Sequence, residues 1–522
     1  MQMQSNSICY DVVIIGTGVA GLATAIYLAE AAASKNQPIS ILLASKAGAS
    51  DTNTSWAQGG IAAVASNEDS FEAHIEDTLD AGAEQNDLQI VRKVIEAAPE
   101  AMQDLIRWGI DLDKKEDGTY DLVKEGGHQF SRIWHKADMT GNTLQATLMH
   151  RVNQFSCIIC KENLAIVQIE KDLQSIFHIQ AIHNNEKNFS YSNLTSENSI
   201  QMHCNHLVLA TGGLGMVYAK TTNQSIATGD GIFFANQLGA RIKDLSFVQF
   251  HPTGLYESNQ SSTYLITEAL RGAGAILRNE QGVDFMPQYD TRASLAPRDI
   301  VSRAIMSEIK KSNIQHVFLD ATVLSRSTIQ QHFPNIQLAC SQKLGIDIHQ
   351  QWIPVIPVEH YACGGIQVDT FGKALGVDAL YAIGEVASTG LHGANRLASN
   401  SLIEGIVFAK WGASKMIEAL KEEDLLANLN FNFNPISIKK IDRAFVQHTL
   451  SNYAGIEKTT TGLQTGLNEL TKVYDEASIL TNWTLEDWEN NVLCQVGMML
   501  FKDALSQSEN KGVFFNVDLE KI

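Results

Sequence analysis

Basic residues are scarce in this 522-residue sequence: 39 Lys and Arg stand against 58 Asp and Glu, a formal net charge of −19 at pH 7. That balance excludes a nucleic-acid partner, which calls for a basic surface. It also means that any anionic ligand must be met by cations gathered locally. No apolar run reaches the ~18 residues that a membrane-spanning helix needs, so no membrane partner is expected. The start, MQMQSNSICYDVVIIG, lacks a basic segment and runs straight into a strand, unlike a secretory signal. Cysteine is sparse and unpatterned. The odd set Cys9, Cys157, Cys160, Cys204, Cys340, Cys363 and Cys494 suits reduced thiols and a cytoplasmic location. Cys157 and Cys160 form a C-x-x-C, but no second pair completes a metal site, and CIICKENLAIVQI reads as packed strand. No metal is expected. In that compartment the N-x-S/T triplets at Asn53, Asn188 and Asn193 carry no glycosylation meaning. No internal repeat is evident.

The length allows about three domains. The chain opens with the strand YDVVIIG, a glycine turn and a helix to about Ala33, then a second strand from Ile39 to Leu43. This is a parallel βαβ start. Gly16, Gly18 and Gly21 make G-x-G-x-x-G at the first junction. Gly16 permits the tight turn, Gly18 lets the backbone approach a pyrophosphate, and Gly21 allows close helix–strand packing. Two more strand-to-turn junctions follow, HLVLATGG at 206–213 and LYAIGE at 380–385. The acid that usually ends the second strand is missing, since Ser45 and Lys46 stand there; this leaves a ribose contact to another residue, for which Glu385 is a candidate. A second carboxylate-bearing junction suits a long, extended cofactor better than NAD. Residues 71–108 read as two helices, 156–209 as short strands, and 183–201 as a polar surface loop. Residues 245–354 lack such glycine turns and carry their own helices, as an inserted unit would. The tail SQSENKGVFFNVDLEKI has little basic character, so no charge-based gate or partner surface is expected there.

SWAQGGIAA, EGGH, LATGG, TGDGI, QFHPTGL, TEALRGAGA, APRDIVSRA, EHYACGGI, LYAIGE and HGANRLASNSL follow one another in this order. In them the chain resembles the succinate dehydrogenase and fumarate reductase flavoprotein family, most closely its L-aspartate-oxidising branch, from about residue 10 to 420. The resemblance implies an α/β fold: a Rossmann-like FAD-binding domain at 1–244 and 355–425, interrupted by an α+β capping domain at 245–354, then a C-terminal helical domain at 426–522. It implies FAD contacts from Gly16, Thr17, Gly18, Val19, Ala20 and Gly21, from Lys46, and from Asn53, Thr54, Ser55, Trp56, Ala57, Gln58, Gly59 and Gly60. Asp230, Glu385, Ser401 and Leu402 complete that set; by itself Asp230 reads equally as a turn residue of TGDG. The respiratory relatives carry a flavin-linked His where Asn53 stands. Asn53 has no nucleophilic ring nitrogen, so the FAD is expected to be non-covalent.

For the substrate, the resemblance implies a dicarboxylate held by His251, Thr267, His360 and Arg396, with Arg298, Glu268, Arg271 and Glu125 as catalytic residues. Arg396 can bind a carboxylate bidentately. Glu268 and Arg271, three apart, either feed protons to Arg298 during fumarate reduction or simply pair as an ion bridge. Glu125 distinguishes substrates. Taken alone it reads as a surface charge, but an acid beside a bound dicarboxylate repels it unless an ammonium intervenes, and L-aspartate supplies one. His128 is expected to support its loop without catalysis. The implied reaction is oxidation of L-aspartate to iminoaspartate with O2 or fumarate as acceptor, a step towards quinolinate synthase in NAD biosynthesis. A soluble fumarate reductase is the alternative, and an electron-transfer subunit docking an iron–sulfur partner is the rival of another class.

Overall fold

The computed structural model describes residues 8–184, 194, 199–257, 263–420 and 431–519; Asn188, Asn193 and most of the polar loop lie outside them. The strand Ile8–Ile15, rich in β-branched residues and almost wholly buried towards its end, lies inside a seven-stranded sheet. It pairs in parallel with Ile41–Ala44 on one side and Ile200–Leu209 on the other. Ile158–Lys161 extends the sheet in parallel beyond Ile41–Ala44, while Phe177–His183 and Leu164–Lys171 extend the other side antiparallel. The edge of Ile200–Leu209 is shared: its first half pairs with Phe177–His183 and its last three residues with Leu380–Ala382. The glycine turns after Ile15, Leu209 and Ala382 therefore meet at one end of the sheet, where open α/β sheets bind ligands.

Helix Val19–Ser34 is alanine-rich and buried along most of its length. Its first amide, Val19 N–H, donates to Thr54 Oγ1 at 3.0 Å. Pairing in the second strand begins at Ile41, two residues later than the apolar run suggests. Gly16 shows why only glycine serves at the turn. Its φ is +114°, and a Cβ there would lie 2.1 Å from the Ala210 carbonyl oxygen of the neighbouring strand's turn.

A second core runs from Leu255 to Val355 under a four-stranded antiparallel sheet built from Val248–Leu255, Ile353–Ala362, Val317–Asp320 and Ile276–Arg278. Helices Arg298–Lys311, Arg326–His332 and Pro334–Leu344 accompany it. Its two long strands straddle both bodies: Val248, Tyr361 and Ala362 belong to the first core, Leu255, Ile353 and Val355 to the second. This ribbon carries register shifts at Gln249/Phe250 and at His251/Gly254, which re-aim its side chains where the bodies meet.

The C-terminal helices Arg443–Tyr453, Thr460–Glu476 and Leu485–Ser506 share the first core rather than building their own. Thr484 and Asp487 form a capping box on the last of them. Further along it, Trp488 is buried and its indole N–H donates to Val167 O at 3.0 Å. No described helix is long and apolar enough to cross a membrane.

Candidate active site

The strand ends, the loop 50–60 and the ribbon enclose a cleft of about 760 Å³, within the range of cofactor sites. Every residue expected to contact FAD faces it except Gly21. Gly21 sits behind the turn, where a Cβ would lie 2.0 Å from Gly16 O. Its contribution is packing.

Three buried polar atoms on the cleft wall, Thr17 Oγ1, Gln58 Oε1 and Thr211 Oγ1, have no hydrogen-bond partner among the described residues. Buried polar atoms in folded proteins are almost always satisfied, so these fit a polar, extended group such as FAD. A carboxylate does stand near the end of the second strand. It is Asp230, delivered from a later helix and held by Lys46 at 2.9 Å. Lys46 also pairs with Glu489 at 2.8 Å and donates to Thr228 at 2.6 Å, so its ammonium is fully engaged. Asn53 is tied down as well: its amide donates to Asn223 Oδ1 at 2.5 Å and accepts from Gln224 N–H at 2.8 Å. Glu385 accepts from Ala362 N–H at 3.1 Å, and burial pushes its carboxyl up to about 7.

At the other end of the cleft the wall becomes charged side chains. Arg298 heads its helix and donates from Nε to Glu268 Oε2 at 2.6 Å and from a terminal nitrogen to Gln249 Oε1 at 2.9 Å. Arg396 reaches the same Gln249 oxygen at 3.3 Å, donates to Ser401 Oγ at 2.8 Å, and lies 4.3 Å from the centre of the Tyr361 ring. Its Nε is buried with no partner among the described residues, a donor awaiting an acceptor. Gln249 in turn donates to Asn395 Oδ1 at 2.6 Å and to Arg396 O at 2.9 Å, so one amide fixes both guanidinium groups.

The histidines stand edge to face, ring centres 5.1 Å apart. His251 Nδ1 accepts from Thr253 N–H at 3.2 Å, which leaves its proton on Nε2. Burial and the arginine charges hold both His251 and His360 well below the usual histidine range, so they are neutral donors. Thr222 Oγ1 lies 2.7 Å from His360 Nδ1. Thr267 caps the short helix Glu268–Gly272 and faces the cleft. Arg271 does not reach the cleft; it lies behind Glu268, 3.5 Å away, and donates to Ser294 O at 2.6 Å. Burial opposes ionisation of Glu268, but Arg298 and Arg271 outweigh it and hold the carboxyl below its ordinary range.

Glu125 is buried on this wall, and Ser399 Oγ donates to its Oε2 at 2.6 Å. Burial, with the Glu268 charge adding to it, raises its pKa. Ser399 adopts φ +62° directly before the helix bearing Ser401 and Leu402, a strained backbone for a non-glycine residue. His128 supports this arrangement, as expected: Arg132 donates to its Nδ1 at 3.3 Å, so its Nε2–H donates to Ala398 O at 3.0 Å. Gln249, Ser399 and Tyr361 are site residues that the sequence reading did not single out. The available signal for Gln249 was its place in QFHPTGL, two residues before His251.

The fold and this wall define an FAD-binding flavoprotein whose cleft ends in a pair of arginines. The FAD binding domain family matches residues 11–402. Among solved structures, an E. coli quinol fumarate reductase FrdA variant superposes with TM-score 0.86 at 29% identity, covering 99% of this chain and 92% of that one. A Mycobacterium smegmatis Sdh1 structure gives TM-score 0.79 at 26% identity, covering 98% and 89%. The L-aspartate oxidase of Acinetobacter baylyi is 38% identical over 98% of this chain and 94% of its own length. The chloroplastic L-aspartate oxidase of Oryza sativa is 35% identical over 98% and 81%. The chain belongs to the L-aspartate oxidase family of FAD-dependent oxidoreductases.

Proposed function

We propose that the chain oxidises L-aspartate to iminoaspartate, with fumarate or O2 taking the electrons. The observation that carries this reading is Glu125, a buried carboxylate among groups suited to a dicarboxylate. Arg396 and Arg298 would hold the two substrate carboxylates, and the neutral His251 and His360 would donate to them without adding charge. Glu125 would receive the substrate ammonium, offsetting the repulsion it otherwise exerts. Its raised pKa suits it to take the ammonium proton before the carbon–hydrogen bond breaks. Bound FAD supplies the two-electron acceptor. Its attachment would be non-covalent, since Asn53 offers only an amide already engaged with the loop at 223–224.

The second reading, fumarate reduction, uses the same pocket, with Arg298 as proton donor resupplied through Glu268 and, behind it, Arg271. The salt bridges joining these three support it. Iminoaspartate as product would feed quinolinate synthesis in NAD biosynthesis, in the cytoplasm. Anaerobic L-aspartate should bleach the visible flavin band of the holoenzyme, and succinate alongside should do so far less; no bleaching by aspartate removes the assignment. Acid precipitation should leave the yellow colour in the supernatant, whereas a yellow pellet would contradict the reading of Asn53.

A further inference from the structure

The C-terminal tail returns to the substrate pocket from behind. Residues 511–515 lie between the start of helix Arg298–Lys311 and the loop bearing Arg396. Val513 N–H donates to Ala394 O at 3.0 Å, two residues before Arg396. Gly512 has φ +50°, and a Cβ there would lie 2.4 Å from the same Ala394 oxygen, so the strap touches that loop as closely as backbone allows. On its other side Arg303 donates to Gly512 O at 3.3 Å and lies 5.3 Å from the Phe515 ring. Arg303 also pairs with Asp299 at 2.9 Å, and Asp299 follows Arg298 directly. The opposite oxygen of Asp299 takes a long contact, 3.5 Å, from Asn395, the residue before Arg396.

The strap is anchored independently. Phe514 is fully buried, Lys458 N–H donates to Phe515 O at 2.9 Å, and Val517 N–H returns to Lys458 O at 3.0 Å. The two guanidinium groups are thus joined twice: in front through Gln249, and behind through Asp299, Arg303 and the strap.

We propose that Arg303 and the strap at 511–515 position Arg298 and Arg396, setting the spacing with which they grip the two ends of a dicarboxylate. This rests on the reading that these arginines hold the substrate. Misplacement of such groups by a fraction of an ångström is enough to weaken a bidentate grip. The strap also gives the C-terminal segment a purpose that its composition does not reveal.

The test is succinate binding to the FAD-loaded full chain, followed by the flavin difference spectrum, in Arg303→Ala, Arg303→Lys and Gly512→Ala, with Arg396→Leu as control. Arg303→Ala and Gly512→Ala should each raise the succinate Kd about tenfold. FAD content should stay near that of the parent in all of them and Tm near it in Arg303→Ala, while Gly512→Ala, whose Cβ meets Ala394 O, should lose Tm as well as affinity; Arg303→Lys, which keeps the Asp299 pair, should recover most of the affinity. A Kd unchanged in both Arg303→Ala and Gly512→Ala, while Arg396→Leu abolishes binding, overturns the strap alone. A fall in Tm without a change in Kd also overturns it, because the strap would then serve only stability. Should Arg396→Leu bind succinate normally, the reading of the pocket itself fails, and the strap has nothing to position.

Discussion

At the cofactor end of the cleft the wall comes from backbone and small side chains at adjacent strand ends: Gly16 to Ala20, Thr211, and the loop 50–60. At the substrate end it comes from long charged side chains, Glu125, Glu268, Arg298 and Arg396, with the buried Gln249 of the ribbon joining the two arginines. The first is built on the ends of neighbouring strands of one sheet, with side chains such as Thr54 and Lys46 tying the loops around them. The second is fixed by side-chain bonds between segments as much as 274 residues apart. A cofactor shared across a large family can be held by the rigid end, while the substrate is set at the end where one residue changes charge.

The sharpest way to break this division is Arg396→Leu. It removes one cation from a buried grip, a loss that typically costs 2–5 kcal/mol. The kcat/KM for L-aspartate should therefore fall by about 30- to 4,000-fold, with the flavin-to-protein absorbance ratio unchanged. Loss of FAD in parallel would show that the two ends are one unit.

Glu125→Gln should have a smaller and more selective effect. Losing a charged hydrogen-bond partner costs about 1.5–3 kcal/mol, so aspartate oxidation should drop about 10- to 100-fold more than fumarate reduction. Equal losses in steady-state assays of both reactions would mean that Glu125 does not read the amine. The pH dependence gives a second check. Because burial raises the Glu125 pKa, the carboxylate is lost on acidification earlier than the ordinary value of about 4.3 allows. Aspartate kcat/KM should accordingly decline as the pH falls, along a limb that Glu125→Gln lacks.

The same contrast explains what could be read from the chain alone. The glycine turns at 16–21 and 211–213 are local, and backbone approach can be argued from residue type. Gln249 was hidden because its role depends on Arg298 and Arg396 converging on one oxygen. The C-terminal helices looked unassignable because helix Thr460–Glu476 turns a mostly exposed polar face outward, while the buried partners of Trp488, Val167 and Phe234, lie far back in the chain. Asp230 illustrates the reverse: an acid missing from the second strand in sequence is supplied in space by a residue 184 positions from Lys46.

The ribbon that joins the two ends offers the finest test, through Glu359. Its Oε2 takes the Asn223 amide at 3.2 Å and the Thr221 hydroxyl, while its Oε1 is buried with no partner among the described residues. Burial, helped by the Glu385 charge, pushes the carboxyl up to about 8. The folded protein then keeps a proton that the unfolded chain releases near its ordinary pKa. The stability from this group is therefore fully present below about 4.3 and lost as the pH rises through about 8. Glu359→Gln carries no titrating proton yet keeps an oxygen for Thr221 and Asn223. Across pH 6 to 8.5 the parent Tm should fall more steeply than that of the variant, by about 2 °C for a chain this long. A variant with the parent's slope would mean that Glu359 is ionised in the fold, and that the loop bracing Asn53 and His360 rests on a charge.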